Sequence, residues 1–268
     1  MKNPTRAVIT GASGGIGADF ARLLAARKTN LFLVARRKEQ LEALALSLRS
    51  EHGVQVEILS LDLSLPDASE ILFREATKNG DVDLLINNAG IGPWRKFVDA
   101  TLDDHKKIMQ LNMVTLTTST HLFATHMLGH KKPSIILNVA SVAAFQPAPR
   151  FTVYAPSKTY VKIFSEILYQ EMKGTNVRIS CLCPGGTATE FLVNNNQTLK
   201  GFNPLMSSEK VARIGLEGAL NGKVVIIPGL MNKIFSFFPR LIPSSWNVKL
   251  AGWGMDLAVK ETNQKQIT

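Results

Sequence analysis

The sequence predicts a single α/β domain, residues 1–268, with a doubly wound sheet of about seven parallel strands and helices on both faces. Short runs of branched apolar residues recur along the chain, and segments with helical apolar spacing separate them. Strands joined through helices need long crossovers, which give parallel sheets buried on both faces. With 268 residues, of which 45% are apolar and 19% charged, the chain is long enough for one large core.

The predicted elements follow in regular alternation. The strands are expected at residues 7–9, 31–34, 54–59, 84–86, 135–137, 177–182 and 224–227. Leu41, Leu44 and Leu48 form the apolar stripe of an early helix. Thr101 and Asp104 have the spacing of a capping box and predict the start of a later one. No low-complexity linker divides the chain.

The charge balance favours an anionic partner. The chain has 31 Lys and Arg against 21 Asp and Glu, a net charge of +10. Nucleotides, acidic carrier proteins, nucleic acid and lipid headgroups would all suit this charge. Because the longest basic cluster is only Arg36-Arg37-Lys38, without interleaved aromatic residues, no nucleic-acid binding is expected.

The cysteines and the terminus indicate a cytoplasmic chain. Cys181 and Cys183 are the only cysteines and stand two residues apart on a predicted strand, so buried free thiols are expected. No apolar run is long enough for a transmembrane helix, and the N-terminus lacks a signal-peptide core.

A glycine-rich turn follows the first predicted strand. The chain reads Thr10-Gly11-Ala12-Ser13-Gly14-Gly15-Ile16-Gly17 and then enters a helix. Glycines permit a tight turn, and the N-terminus of the following helix suits a pyrophosphate. The same residues fit the G-x-S-x-G nucleophile elbow of hydrolases. Only one strand precedes Ser13 and no Asp and His partners are recognisable, so nucleotide binding is favoured.

Further motifs follow this turn in order. They are Asp62, Asn87-Asn88-Ala89-Gly90, Asn112, Ser141, Tyr154-Ala155-Pro156-Ser157-Lys158 and Pro184-Gly185-Gly186-Thr187. Together with T-G-x-x-x-G-x-G at the turn, this set resembles the short-chain dehydrogenase/reductase family from about residue 4 to residue 228. The resemblance implies a Rossmann-like fold and an NADP(H)-dependent oxidoreductase that interconverts a carbonyl and a secondary alcohol.

The resemblance implies the catalytic residues Asn112, Ser141, Tyr154 and Lys158. Tyr154 and Lys158 are four apart and share a helix face, where the ammonium would lower the pKa of the phenol. Tyr154 is expected to be the acid in ketone reduction and the base in alcohol oxidation. Ser141 is expected to donate a hydrogen bond to the substrate oxygen. In the family, the residue at the position of Asn112 distorts its helix and holds a water linked to the lysine.

Pro156 predicts where the catalytic helix begins. Proline is tolerated only in the first turn of a helix, because it lacks an N–H group. The helix should therefore begin near Thr152 or Val153, with Tyr154 in its first turn.

Two arginines at the end of the second strand predict NADP(H), with NAD(H) less favoured. No acidic residue occurs at 34–37, and Arg36 and Arg37 offer donors that match a 2′-phosphate. Gly14 stands where many NADP-binding relatives carry Lys or Arg, so the prediction of NADP(H) lacks the support of a basic residue at this position. The resemblance implies that Asp62 contacts the adenine. The expected cofactor-binding residues are Gly11, Ser13, Gly14, Gly15, Ile16, Gly17, Arg36, Arg37, Asp62, Leu63, Asn88, Ala89, Gly90, Tyr154, Lys158, Pro184, Gly185, Thr187 and Thr189.

A pair of histidines has the spacing of metal ligands on a helix. His126 and His130 have a spacing that can bind zinc on a helix, but no third ligand accompanies them. They flank Gly129 near an expected helix end. Capping or surface roles are therefore expected, and no metal.

Two late segments are expected to face the substrate. Residues 184–207 form a substrate loop that contains Phe191, Leu192 and Phe202. Residues 229–260 are rich in Phe and Trp but are interrupted by charges and prolines, so they do not read as a bilayer-spanning helix. They could cover the cleft, pack on the core, form a subunit interface or lie on a membrane surface. A cover would favour a bulky or long-chain apolar carbonyl substrate, such as one presented on an acidic acyl carrier.

One alternative to the enzyme is a cofactor-binding sensor or scaffold without turnover. The intact Ser141, Tyr154 and Lys158 argue against it. The family commonly forms dimers and tetramers through its long helices. A homodimer or homotetramer is therefore expected here, through the apolar faces of residues 101–128 and 152–173.

Overall fold

A seven-stranded parallel sheet lies at the centre of this computed structural model, which describes residues 3–189 and 205–264. Its strands are β1 (Arg6–Thr10), β2 (Asn30–Ala35), β3 (Val56–Ser60), β4 (Leu84–Asn87), β5 (Ser134–Val139), β6 (Val177–Leu182) and β9 (Val225–Ile226), and a separate pair is formed by β7 (Thr187–Ala188) and β8 (Met206–Ser207). The order is β3-β2-β1-β4-β5-β6-β9, and all neighbours are parallel. The doubly wound prediction is confirmed, and each predicted apolar run contributes a strand.

Helices flank the sheet on both faces, and further helices lie outside these layers. They are α1 (Gly15–Ala25), α2 (Lys38–His52), α3 (Ala68–Thr77), α4 (Leu102–Met109), α5 (Leu116–His130), α6 (Tyr154–Glu171), α7 (Ser208–Leu220), α8 (Leu230–Phe237) and α9 (Ser244–Gln264). Short 3₁₀ turns occur at Phe97–Asp99, Val142–Phe145 and Phe238–Arg240, and a π-helical turn joins α4 to α5 at Gln110–Thr115. The capping box is present: Thr101 Oγ1 accepts from the Asp104 N–H, and the Asp104 carboxylate accepts from the Thr101 N–H.

Two apolar layers pack on the two faces of the sheet. Along β1, Ala7 and Ile9 point into the layer formed with α1, α2 and α7, which contains Phe20. Val8 points into the opposite layer with α3 and α5, which contains Phe123. This alternation is the two-residue period of a strand buried on both faces. The carboxyl ends of the strands then meet at one edge, where open α/β sheets bind their ligands.

A buried carboxylate anchors the start of β1. Asp83, which immediately precedes β4, is only 5% exposed and accepts hydrogen bonds from the Thr5 and Arg6 N–H groups and from Thr5 Oγ1. Arg6 in turn donates to the carbonyls of Ala76 and Asn79. These contacts hold the first and fourth strands in register at the edge opposite the ligand site.

The last helices have a different character. Within residues 3–189 and 205–264, no helix is both long enough and apolar enough to cross a membrane. Most of the large apolar side chains of α8, and of α9 as far as Trp253, are nevertheless exposed.

Candidate active site

The glycine turn joins β1 to α1 at the carboxyl edge of the sheet. Gly11 and Gly15 have φ angles of 66° and 53°, in the left-handed region that favours glycine. A Cβ on Gly17 would lie 2.3 Å from the Gly11 carbonyl oxygen, so the position admits no side chain. Gly14 caps α1 without a side-chain hydrogen bond, and the first turn of the helix has no acidic residue. The turn therefore fits an anionic pyrophosphate at the helix N-terminus.

Asn88 and Thr10 hold this turn against the end of β4. Asn88 Nδ2 donates to the carbonyls of Thr10 and Gly11 at 2.9 and 3.2 Å. Thr10 Oγ1 accepts from the N–H groups of Asn88 and Ala89 at 2.9 and 3.0 Å. The Asn88 amide and the Thr10 hydroxyl thus fix the conformation of the turn together. Thr10 was not among the predicted site residues.

Basic and acidic groups line the cleft just after β2 and β3. Arg36 and Arg37 follow β2, and Arg37 Nε donates to Ser13 Oγ at 3.1 Å. Asp62 accepts from both the N–H and the hydroxyl of Ser64. Burial raises the pKa of Asp62, but these hydrogen bonds and the nearby Arg36 outweigh it and hold that pKa below its ordinary value. Asp62 therefore stays ionised beside the arginines.

These groups line one cleft of about 670 Å³ at the carboxyl edge. The predicted site residues in its wall are Gly11, Ser13, Gly14, Gly15, Ile16, Arg36, Arg37, Asp62, Leu63, Asn88, Ala89, Gly90, Ser141, Tyr154, Lys158, Pro184, Gly185, Thr187 and Thr189. Gly17 and Asn112 stand behind this wall. The wall also contains residues that the motifs did not predict, among them Ile91, Gly92, Pro93, Val142, Gln146 and Phe151.

Ser141, Tyr154 and Lys158 meet in the cleft. Helix α6 begins at Tyr154, which therefore lies in its first turn, as Pro156 predicted. Ser141 follows β5; its Oγ accepts from the Ala143 N–H and is hydrogen-bonded to the Tyr154 hydroxyl. Lys158 Nζ donates to the Val139 carbonyl at 2.8 Å and lies 5.7 Å from the centre of the Tyr154 ring.

Burial dominates the ionisation of this group. It raises the pKa of Tyr154 to about 12, against the opposing effect of the hydrogen bond with Ser141. It also lowers the pKa of Lys158 to about 8, opposed by the neighbouring Cys181 and Cys183. The direction for Tyr154 is opposite to the sequence expectation, because loss of hydration penalises the phenolate more than nearby groups stabilise it. The chain by itself favours a protonated Tyr154.

Asn112 lies in the π-helical turn at Gln110–Thr115, where the helix is distorted. Its Oδ1 accepts from the Ile91 N–H at 3.1 Å, and its Nδ2 donates to the Ile91 carbonyl at 2.9 Å and to Ser157 Oγ at 3.0 Å. Ser157 Oγ in turn donates to the Tyr154 carbonyl at 2.7 Å. Asn112 thus links the loop after β4 to the first turn of α6 and positions Tyr154 from behind.

Two glycines of the loop after β4 leave room for the side chains of Tyr154 and Lys158. A Cβ on Gly90 would lie 3.0 Å from Lys158 Nζ, and one on Gly92 would lie 2.2 Å from Tyr154 Cδ2. Gly90 was among the predicted residues, but Gly92 was not. The sequence signal that could have predicted Gly92 is its position, two residues after Gly90 in the same loop.

His126 and His130 of α5 are both hydrogen-bonded to the backbone of Val82. His126 Nε2 accepts from the Val82 N–H at 3.3 Å, and His130 Nε2 bonds to the Val82 carbonyl at 3.0 Å. His130 Nδ1 accepts from the Lys132 N–H just past the helix end. In the part of the chain that the structure describes, no three His, Cys, Asp or Glu residues are grouped to hold a metal.

The late segments border the cleft only in part. Phe191, Leu192 and Phe202 lie outside the described residues. Within residues 205–254, no side chain contributes to the cleft wall. Helix α8 nonetheless touches its lip, because a Cβ on Gly185 would lie 2.5 Å from both amide atoms of Asn232.

Comparison with known proteins places this chain in a family. The short chain dehydrogenase pattern matches residues 5–200. A very-long-chain 3-oxoacyl-CoA reductase of Rattus norvegicus is 27% identical over 241 residues, which cover 88% of this chain and 76% of the relative. The 17-beta-hydroxysteroid dehydrogenase type 3 of Homo sapiens is 33% identical over 243 residues, which cover 89% of this chain and 75% of the relative.

A solved structure agrees with this assignment. The short-chain dehydrogenase from Sphingobium yanoikuyae in complex with NADPH superposes with a TM-score of 0.78 and 30% identity, covering 94% of each chain. The glycine turn and the group around Tyr154 lie within the residues that the family pattern matches. The chain belongs to the short-chain dehydrogenase/reductase family of oxidoreductases.

Proposed function

We propose that the chain is an NADP(H)-dependent oxidoreductase that interconverts an apolar ketone or acyl-type carbonyl and its secondary alcohol. The proposal rests mainly on Tyr154, which lines the cleft beside Lys158 and whose hydroxyl is hydrogen-bonded to Ser141. When bound, the nicotinamide cofactor supplies the hydride for reduction or accepts it in oxidation. The residues of the chain bind the cofactor, orient the substrate and transfer the proton.

Tyr154 is the proton donor in reduction. Because its pKa is raised to about 12, the phenol is protonated at neutral pH and ready to give its proton to the carbonyl oxygen. Ser141 stabilises the charge that develops on that oxygen. The ammonium of Lys158 then stabilises the phenolate that remains.

Replacing Tyr154 by phenylalanine tests this role. We expect kcat for ketone reduction to fall by about 10²–10⁴-fold while NADPH still binds, because only the proton donor is removed. Tyr169→Phe, on the same helix but outside the cleft wall, is the matched control and should keep wild-type turnover. If the wild type binds NADPH but reduces no ketone or acyl thioester, the proposal fails in favour of a sensor or scaffold.

Arg36 and Arg37 support NADP(H) over NAD(H). Both line the cleft after β2, and residues 34–37 include no carboxylate that would repel a 2′-phosphate. Arg36→Ala/Arg37→Ala is expected to raise the Kd of NADPH by about tenfold or more per arginine and to change that of NADH little. Lys38→Ala, one position further on, is the control. Equal losses for both cofactors in fluorescence titrations would contradict the preference.

An apolar substrate is supported by the cleft and by the relatives. Ile91, Pro93, Val142 and Phe151 lie in the wall near Tyr154. The relatives named above act on acyl-CoA and hydroxysteroid substrates by their names. In a ketone series with NADPH, kcat/KM should rise by up to about fourfold per buried methylene. A flat series would show that the substrate is not recognised by apolar contact.

The proposal includes a homodimer or homotetramer. Exposed apolar side chains support this assembly. They are Ile163 and Ile167 on α6, and Met109 and Val114 around the π-helical turn. Light scattering of the purified chain measures the assembly, and a monomer at micromolar concentration would contradict it.

A further inference from the structure

We propose that α8 and α9 dock the protein onto the surface of an anionic lipid bilayer. Between residues 230 and 253, eleven large apolar side chains are exposed, half of those in the described chain. They are Leu230, Met231, Ile234, Phe235, Phe237, Phe238, Leu241, Trp246, Val248, Leu250 and Trp253. An exposed apolar concentration of this kind marks a contact surface. This inference goes beyond the proposed function and does not depend on it.

In helix α8 the polar and apolar sides are the reverse of those in a helix on the surface of a water-soluble domain. Such helices turn apolar residues inward and polar residues outward. In α8 the residues that face the protein are polar: Ser236 is 3% exposed, and Asn232 donates to the Pro228 carbonyl at 2.7 Å. The outward stripe consists of Leu230, Met231, Ile234, Phe235 and Phe238, which are 46–72% exposed. This arrangement suits an apolar medium on the outer side.

Helix α9 adds a stripe of tryptophans. Trp246, Leu250 and Trp253 follow at spacings of four and three, so they share one side of the helix. Trp246 and Trp253 are 64% and 66% exposed. Tryptophan is enriched where an apolar phase meets water, because its ring is apolar and its N–H needs a polar partner.

The charges in this segment are all positive. Lys233, Arg240 and Lys249 are exposed among the apolar residues, and the sequence has no Asp or Glu between Glu217 and Asp256. Basic residues beside an apolar face are the pattern of segments that bind anionic lipid surfaces. A two-fold interface formed by this segment would collect the three basic residues of each copy, with no carboxylate in the segment to neutralise them. Lipid is therefore the better occupant.

The position of α8 connects docking to the cleft. Eight residues are too short to cross a hydrocarbon core of about 30 Å, so α8 would lie in the surface. Asn232 on its inner side touches the cleft lip at Gly185. Docking would therefore bring that lip close to the lipid in which an apolar substrate partitions.

Vesicle sedimentation of the full chain tests the proposal. We expect cosedimentation with vesicles of phosphatidylcholine and phosphatidylserine, and much less with phosphatidylcholine alone. Phe235→Ser/Phe238→Ser should weaken partitioning by about tenfold or more for each aromatic ring removed. The matched control, Leu46→Ser/Leu65→Ser, removes two apolar side chains elsewhere that are at least as exposed, and it should bind like the wild type.

A second variant tests the charge. Lys233→Glu/Lys249→Glu should abolish the preference for phosphatidylserine. Circular dichroism and NADPH affinity should stay unchanged in every variant, since the replaced side chains are exposed and outside the cleft wall. Absence of binding to either vesicle would overturn the proposal. So would an oligomer that Phe235→Ser/Phe238→Ser dissociates without any vesicle binding, because a second copy would then be the occupant.

Discussion

Replacing Gly92 by alanine tests how strictly the position of the Tyr154 ring controls turnover. The backbone of Gly92 does not have a positive φ, so alanine is compatible with its conformation. The new Cβ would lie 2.2 Å from Tyr154 Cδ2 and 2.5 Å from Cγ. Since carbon atoms pack at about 3.5–4.0 Å, the ring or the loop must move by about 1.3 Å or more.

The ring has little freedom to absorb this shift. Its hydroxyl is bonded to Ser141, and the Phe151 ring lies 5.0 Å away, centre to centre. A misplacement of about 1 Å near the reacting atoms can cost about 10²-fold in rate. We therefore expect kcat of Gly92→Ala for ketone reduction to fall by about a hundredfold.

Steady-state kinetics of ketone reduction, followed by the absorbance of NADPH, provide the assay. Gly129→Ala is the control, because a Cβ there meets no atom within 4 Å. It should leave kcat unchanged and raise the free energy of unfolding by up to about 1 kcal/mol, since Gly129 lies inside α5. A folded Gly92→Ala enzyme with kcat within about twofold of the wild type would refute the reasoning, because it would show that displacing the Tyr154 ring is harmless.

Two further predictions follow from the ionisation and anchoring of the domain. The kcat/KM for reduction should fall as pH rises through about 8, because the lowered pKa of Lys158 means that its ammonium is lost there, whereas Tyr154 keeps its proton to about 12. A pH profile of kcat/KM, which reports the free enzyme, checks this, and a profile flat to about pH 10 would contradict it. Asp83→Ala should lower the free energy of unfolding by about 2–4 kcal/mol in urea titrations, since the buried N–H of Arg6 and the N–H of Thr5 lose their acceptor. A loss below about 1 kcal/mol would mean that water replaces the carboxylate.

The sheet and the glycine turn could be predicted because their signals are local. The apolar run at Ala7–Ile9 forms β1, and the nearby Gly11 and Gly15 have the positive φ angles that a tight turn requires. Thr101 and Asp104 cap α4 as their spacing predicted. In each case the residues that determine the conformation stand within a few positions of it.

Other features depend on distant parts of the chain. The π-helical turn around Asn112 is held by Ile91 and Ser157, which are 21 and 45 positions away. The pKa of Tyr154 depends on how completely the fold buries it, which no local pattern reveals. The apolar residues of 229–260 gave no sign of which side of α8 would face the protein, since this depends on the packing of Asn232 against Gly185.

The positions of the tryptophans also allow the intrinsic fluorescence of the chain to report on the surroundings of α9. Of its three tryptophans, Trp94 lies under the guanidinium of Arg150, 5.2 Å from the ring centre, whereas Trp246 and Trp253 stand in water on α9. Indole emission shifts to shorter wavelength when the ring leaves water for an apolar phase. In a Trp94→Phe background, the remaining fluorescence comes only from α9. Quenchers placed at known depths in a bilayer would then read how far this helix enters the lipid, without any label on the protein.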